Sequence, residues 1–161
     1  LELLIGWTGK PASTSQLVDK ISLFKARRQT EYHHFLEKSK SCIQRMVDGF
    51  HRQDLEAIKN EIRYNRDLLK QLGTNSGVNI ETESLSKLCQ IAESFGGAAK
   101  TSGAGGGDCG IVAIDSNSNF GNVLKSWAKN HIEQLPLSVH FIDNAKSFKK
   151  SVKHHFSYIH K

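Results

Sequence analysis

The sequence predicts an α+β fold in one domain, and three observations lead there. Segments with helical and strand periodicity follow one another in the order β-α-α-α-α-β-β-α-β, which puts strands in one layer and helices in the other. The two adjacent strands in the middle of that order flank Lys100–Gly110, a run of eleven residues of which five are glycine. The length of 161 residues, with 38% hydrophobic and 24% charged, is enough for a proper core in a globular domain.

Leu1-Glu2-Leu3-Leu4-Ile5-Gly6-Trp7 reads as a buried strand. It begins abruptly, with no Met and no preceding loop, and so reads as a piece of something longer. Pro11 and then Ser13-x-x-Gln16, a capping-box pattern, start a first helix with Leu17, Ile21 and Phe24 on one face. Lys25, Arg27 and Arg28 follow at its end, where cations are favoured; they could also meet phosphate. A second helix is predicted over 31–50, with Phe35, Ser39, Cys42, Met46 and Phe50 as its stripe and Tyr32, Leu36, Ile43 and Val47 widening it. His33 and His34 diverge by about 100° on a helix, so they read as surface histidines and not as a chelating pair.

A third helix is predicted over 53–72, carrying Leu55, Ile58, Ile62, Leu69 and Leu72 inward, with Gly73 as its C′ residue and 73–77 as a loop. Asn65 and Arg66 on that helix could face a substrate cleft. Thr82 caps a fourth helix over 83–95, with Leu85, Leu88, Cys89, Ala92 and Phe95 inward, and Gly96-Gly97 stops it. Ala98-Ala99-Lys100 then leads as a strand into the glycine run, and 109–115 leads out of it. This makes a strand–loop–strand hairpin with its tip free to reach over a cleft. A fifth helix is predicted over 120–132, with Val123, Leu124 and Trp127 on the core side. Leu135, Leu137, Val139 and Phe141 alternate with Pro136, Ser138 and His140. That is a half-buried strand, with Pro136 at its start or on a sheet edge. Residues 1–142 form the domain. Residues 143–161 form a basic extension, disordered or a short amphipathic helix with Phe148, Val152, Phe156 and Ile159 at helical spacing.

The glycine run is the centre of the functional reading. Glycine loses the most backbone freedom on folding, so such a run persists where backbone takes φ > 0 or approaches something closely. Bare N–H groups turned one way make a concave anion site. A plain flexible turn between two strands is the other reading. Gly105, Gly107 and Gly110 satisfy G-x-G-x-x-G, but Ile111-Val112-Ala113-Ile114 follows as a strand and not as the helix of a dinucleotide fingerprint. No Gly-Lys-Ser/Thr is present, so this is not a Walker A loop.

Two stretches carry a resemblance. Thr101-Ser102-Gly103-Ala104-Gly105-Gly106-Gly107-Asp108-Cys109-Gly110 closely resembles the third conserved motif of the GHMP kinases, and its Gly-Asp-Cys-Gly ending is similar to bacterial phosphomevalonate kinases. Leu4-Ile5-Gly6-Trp7-Thr8-Gly9-Lys10-Pro11-Ala12-Ser13 is similar to the start of that family's C-terminal half. The resemblance covers about 1–138, specific at these two motifs and loose between them.

The resemblance implies a ferredoxin-like C-terminal domain, an antiparallel sheet with helices on one face. It implies ATP-dependent phosphorylation of 5-phosphomevalonate to 5-diphosphomevalonate, with ATP and Mg²⁺ used by the complete enzyme. Mevalonate kinase or another GHMP small-molecule kinase is the nearest alternative, and Asp108 and the Gly6-Trp7-Thr8 start count against mevalonate kinase; a non-catalytic anion- or protein-binding domain derived from a kinase is the reading of a different class. The resemblance places Ser102, Gly103, Ala104, Gly105 and Gly106 near the phosphates and the acceptor, with Lys100 adding charge. Asp108 is read as structuring the loop, holding the hairpin by accepting backbone N–H bonds. No catalytic residue is assigned in this chain. The family's Pro-x-x-x-Gly-Leu-Gly-Ser-Ser-Ala ATP loop, its N-terminal lysine motif and its acidic residue have no match here. The resemblance therefore implies a missing N-terminal kinase domain as partner, and little kinase activity for this chain alone.

Other classes are weighed by composition. The net charge is +6, but five lysines against one aspartate put +4 of it in 143–161. No aromatic pair of RNP type and no dense arginine patch supports nucleic-acid binding. No run of about 18 apolar residues predicts a membrane span. Cys42, Cys89 and Cys109, an odd number at unrelated spacings, predict neither a disulfide framework nor a zinc site and suit a reducing cytoplasm. His154, His155 and His160 have no acidic or cysteine partner nearby, so no metal site is assigned.

Overall fold

A computed structural model describes residues 1–103 and 105–137. The elements follow the predicted order: β1 (Glu2–Trp7), α1 (Thr14–Arg27), α2 (Gln29–His51), α3 (Leu55–Ser76), α4 (Glu83–Ser94), β2 (Ala98–Thr101), β3 (Cys109–Ile114), α5 (Gly121–Lys129) and β4 (Glu133–Leu135). The four strands form one antiparallel sheet in the order β2-β3-β1-β4. β1 runs against β3 from Glu2↔Ile114 to Trp7↔Cys109, so the turn leaving β1 and the glycine loop entering β3 emerge at the same end of the sheet.

Strand alternation decides what each face meets. Leu4, Ala99, Val112 and Ile114 share one face. They form a core with Leu88, Cys89 and Ala92 of α4 and Val123 and Trp127 of α5. Burying each of the larger side chains contributes roughly 1.5–3 kcal/mol. Trp127 is fully buried, and its indole N–H donates to the Leu88 carbonyl at 3.1 Å, so the ring enters the core with its polar atom satisfied. On the opposite face Ala98 and Ala113 are small enough for α3 to approach, and they meet Ile58 and Ile62 with Met46 of α2 beside them. The predicted packing of helices on one face thus describes α4 and α5, while α3 adds contact at the β2 end of the other. A third cluster, Phe24, Leu72, Val78 and Ile80 with Leu17 and Ile21, ties α1 and α3 to the segment before α4.

Several boundaries differ from the periodicity reading. Gln53 has φ 55, outside the helical region, so α3 starts at Leu55, capped by the Asp54 carboxylate accepting the Ala57 N–H at 3.0 Å. α3 then runs past Gly73 to Ser76. Gly77, at φ 68, is the left-handed residue that ends it. Gly73 lies buried inside the helix because the returning chain crosses it: a Cβ there would stand 2.7 Å from the Val78 carbonyl oxygen. His131 at φ 57 brings the chain out of α5 before Ile132. Ser13 precedes α1 but makes no side-chain cap bond, so the capping box is not formed.

The widened stripe of α2 is half wrong. Cys42 is fully buried, but Leu36, Ile43, Val47 and Phe50 are 40–49% exposed, because α3 covers a narrower strip of α2 than the periodicity suggests. Phe95 at the end of α4 is also exposed. β4 precedes Pro136 and forms the edge of the sheet next to β1, which suits a residue without an N–H just beyond it. Val139 and Phe141, the domain boundary at 142, and the extension at 143–161 lie outside the described residues. Among the described residues no helix is long and apolar enough to cross a membrane.

Candidate functional site

The glycine loop is anchored at both its root and its tip. At the root the Ser102 N–H donates to the Cys109 carbonyl at 2.9 Å, and the Thr101 hydroxyl donates to the Gly103 carbonyl at 3.1 Å. On the exit side the Thr8 N–H donates to the Asp108 carbonyl at 3.0 Å, and the Thr8 hydroxyl donates to the Gly107 carbonyl. Across the loop the Gly106 N–H donates to the Ile80 carbonyl at 2.8 Å. The free tip expected from the hairpin pattern is therefore a seated tip, wedged between the β1–α1 turn and the segment before α4.

That seating explains two of the glycines. Gly105 and Gly106 have φ of 79 and 83, in the left-handed region. A Cβ on Gly105 would stand 2.2 Å from the Ile80 carbonyl oxygen, and one on Gly106 would stand 2.9 Å from Leu17 Cδ1. At Gly105 main chain lies on main chain, and at Gly106 the Leu17 side chain takes the room a Cβ would need.

The structure places the predicted residues unequally. Ser102 and Gly103 are exposed, Gly105 is buried, Gly106 is half-buried, and Ala104 lies outside the described residues. The Gly106 N–H faces Ile80. Lys100 is half-buried on β2, where its ammonium donates to the Thr101 carbonyl at 2.6 Å. Burial holds its pKa below the usual lysine value. Asp108 is exposed; its main-chain carbonyl takes the Thr8 N–H, and its carboxylate lies 3.6 Å from the Cys109 thiol.

Asn65 and Arg66 do not face a cleft. Both are buried, and Arg66 is ion-paired with Glu81 and Glu93. Burial pushes the Cys42 thiol up to about 11 and the Cys89 thiol up to about 12, and it also raises Cys109. All three are thus poor nucleophiles at neutral pH.

Sequence reasoning missed the neighbours of the loop. A cavity of about 210 Å³ lies beside Gly106, lined also by Ser13, Gln16, Lys20, Asn79 and Thr82. It adjoins the first turn of α1, which has no acidic residue and no side-chain cap, and it includes a lysine. A helix N-terminus with a cation suits an anion. Thr8 and Ser13 had a signal, since they sit in the second resembling stretch. Ile80 had none, because its contribution is a carbonyl. A larger groove of about 750 Å³ lies between α2 and α3, touching Phe24, His33, His34 and Gln71. Its charged lining mixes Glu31 and Glu37 with Lys38, and no residue of the glycine loop reaches it. Among the described residues no three His, Cys, Asp or Glu side chains are grouped to hold a metal ion.

Residues 46–133 match the family described as GHMP kinases C terminal. The chain belongs to the GHMP kinases. Over 86% of its length this GHMP kinase chain is 38% identical to a phosphomevalonate kinase from Streptomyces sp. (strain CL190), of which it spans 37%. Its fold matches the Lin0012 protein from Listeria innocua with a TM-score of 0.83 at 39% identity, covering 87% of this chain and 39% of that one. It also matches Streptococcus pneumoniae phosphomevalonate kinase in complex with phosphomevalonate and AMPPNP, with a TM-score of 0.71 at 31% identity over 83% of this chain and 37% of that one. The GHMP chain thus spans well under half the length of these relatives.

Proposed function

We propose that this chain is the C-terminal part of a phosphomevalonate kinase, which transfers the γ-phosphoryl group of ATP to 5-phosphomevalonate in the cytoplasm. The observation that carries the reading is the junction of the two stretches that resemble the family. The Thr8–Ser13 turn and the glycine loop are bonded to each other beside a cavity suited to an anion. The choice of acceptor rests on the phosphomevalonate kinase relatives.

Phosphoryl transfer asks for positioning and charge stabilisation more than for covalent chemistry. An oxygen of the acceptor's phosphate forms a bond to the γ-phosphorus as the bond to the β,γ-bridging oxygen breaks, and ADP leaves. In this reading the exposed Ser102 hydroxyl and the Gly103 main-chain N–H meet phosphate oxygens, while Gly105 shapes the loop that presents them. Each charge-assisted bond contributes roughly 1.5–3 kcal/mol. Gly106 keeps the loop in place through Ile80. Lys20, the first turn of α1 and Lys100 make the surroundings positive. Mg²⁺ would shield the charge of ATP. In this reading the acid–base group belongs to the N-terminal kinase domain, where the resemblance puts the family's acidic residue.

The test is ADP release from Mg-ATP with 5-phosphomevalonate or mevalonate as acceptor. It uses this chain alone, shown to be folded by circular dichroism, and this chain joined to the N-terminal part of the Streptomyces enzyme. The expected result is no appreciable turnover by the chain alone, and turnover by the joined protein with 5-phosphomevalonate but not with mevalonate. A folded joined protein that uses mevalonate instead, or neither acceptor, would overturn the proposal.

A further inference from the structure

Arg66 leaves the buried side of α3 and forks onto Glu81. Its Nε donates to Oε2 at 2.8 Å and one terminal nitrogen donates to Oε1 at 2.7 Å, while the other reaches Glu93 of α4 at 2.8 Å. The Arg66 and Glu81 side chains are 10% and 4% exposed. A buried pair of this kind gains little stability over apolar packing of the same volume, so its effect is sought in geometry. Glu81 sits between Ile80, which the glycine loop is bonded to, and Thr82, which lies beside it. Ile80 supplies the carbonyl that takes the Gly106 N–H. Thr82 caps α4 through the Leu85 N–H, and its methyl lies 3.6 Å from where a Gly107 Cβ would be.

We infer that Arg66 is a positioning residue for the glycine loop. By gripping Glu81 with two parallel hydrogen bonds, it fixes the Ile80 carbonyl and Thr82, and through them the conformation in which Ser102 and Gly103 stand outward. A guanidinium does this where an ammonium cannot, because the fork sets direction as well as distance. The functional half of this inference rests on the phosphate-contacting role of the loop proposed above.

Amide hydrogen exchange of the full chain, read by NMR at Gly106 and at Val112 in the sheet, tests the grip without any need for activity. Arg66→Met is expected to speed Gly106 exchange about tenfold more than Val112 exchange, with Arg66→Lys in between and Glu81→Gln in the same direction. Glu93→Gln, which leaves the fork intact, is expected to stay within about twofold of the parent at Gly106. Ile62→Val, a plain core truncation, should move both amides together. If Arg66→Lys and Glu81→Gln also move Gly106 only in step with Val112, the positioning role is wrong.

Kinetics of the joined protein separate this from the reading of the site. Arg66→Lys is expected to raise KM for 5-phosphomevalonate by about tenfold with a smaller change in kcat. Selective loosening of Gly106 with KM unchanged would keep the grip and overturn the role of the loop at the acceptor.

Discussion

Gly105 is the residue with the least freedom to change. Its φ of 79 and the Ile80 carbonyl, 2.2 Å from an added Cβ, oppose a side chain for two separate reasons. Gly105→Ala is expected to cost at least about 2 kcal/mol in urea unfolding, the scale of one strained backbone position plus a main-chain clash. Gly103→Ala, with nothing within 4 Å of the added Cβ, is expected to stay within about 0.5 kcal/mol of the parent. The density of glycine was legible in the sequence as a demand for close approach. Which glycine meets that demand was not, since the partner is a carbonyl that any residue at position 80 would bring. The same blindness explains Arg66: a charged residue on an apolar helix reads equally as cleft-facing or as paired. Glu81 and Glu93, which decide between the two, stand 15 and 27 residues away.

At the scale of elements, α3 shows why helix ends are hard to read. Gly73 and Gly77 are both plausible stops, and only the return of the chain over Gly73 tells them apart. In an open helix Gly→Ala stabilises by about 1 kcal/mol. Gly73→Ala is expected to do the reverse and lower the melting temperature, because the Val78 carbonyl oxygen stands 2.7 Å from the new Cβ and Val78 is itself held by its N–H to the Gly73 carbonyl. An unchanged or raised melting temperature would show that the 77–80 segment yields instead. The helices themselves were legible wherever the whole apolar stripe is covered, as in α3, whose stripe is shared between the sheet, α2 and α1. On α2 the apolar residues span more of the circumference than α3 covers, and periodicity has no means of saying which of them lack a partner.

The whole molecule depends on carboxylates that bridge its parts. Glu81 joins the segment before α4 to α3. Burial alone would raise its carboxyl, but the hydrogen bonds and charge of Arg66 outweigh that and hold it below the ordinary value of 4.5. The bond to Arg45 of α2 likewise lowers Glu61 of α3. A carboxyl with a lowered folded value contributes its stability above the unfolded pKa and loses it as pH falls through the folded one. The urea midpoint is therefore expected to fall between pH 7 and pH 3, and to fall less in Glu81→Gln. Equal slopes in the two proteins would mean that the pair contributes nothing to acid sensitivity. The α+β class and the order of elements were legible from the sequence, but the strand order β2-β3-β1-β4 was not, because the pairing of Leu4 with Val112 across 108 positions leaves no local mark.

Thr8 and Gly107, 99 positions apart, share a hydrogen bond, and the next residue along, Asp108, takes the Thr8 N–H. The two motifs are one object cut in two by the numbering of the chain. Anyone grafting a relative's glycine loop onto this scaffold to alter its acceptor would be transplanting half a joint. The turn after β1 and the Ile80–Thr82 segment have to travel with it, and the unit of exchange is the seam where these three segments meet.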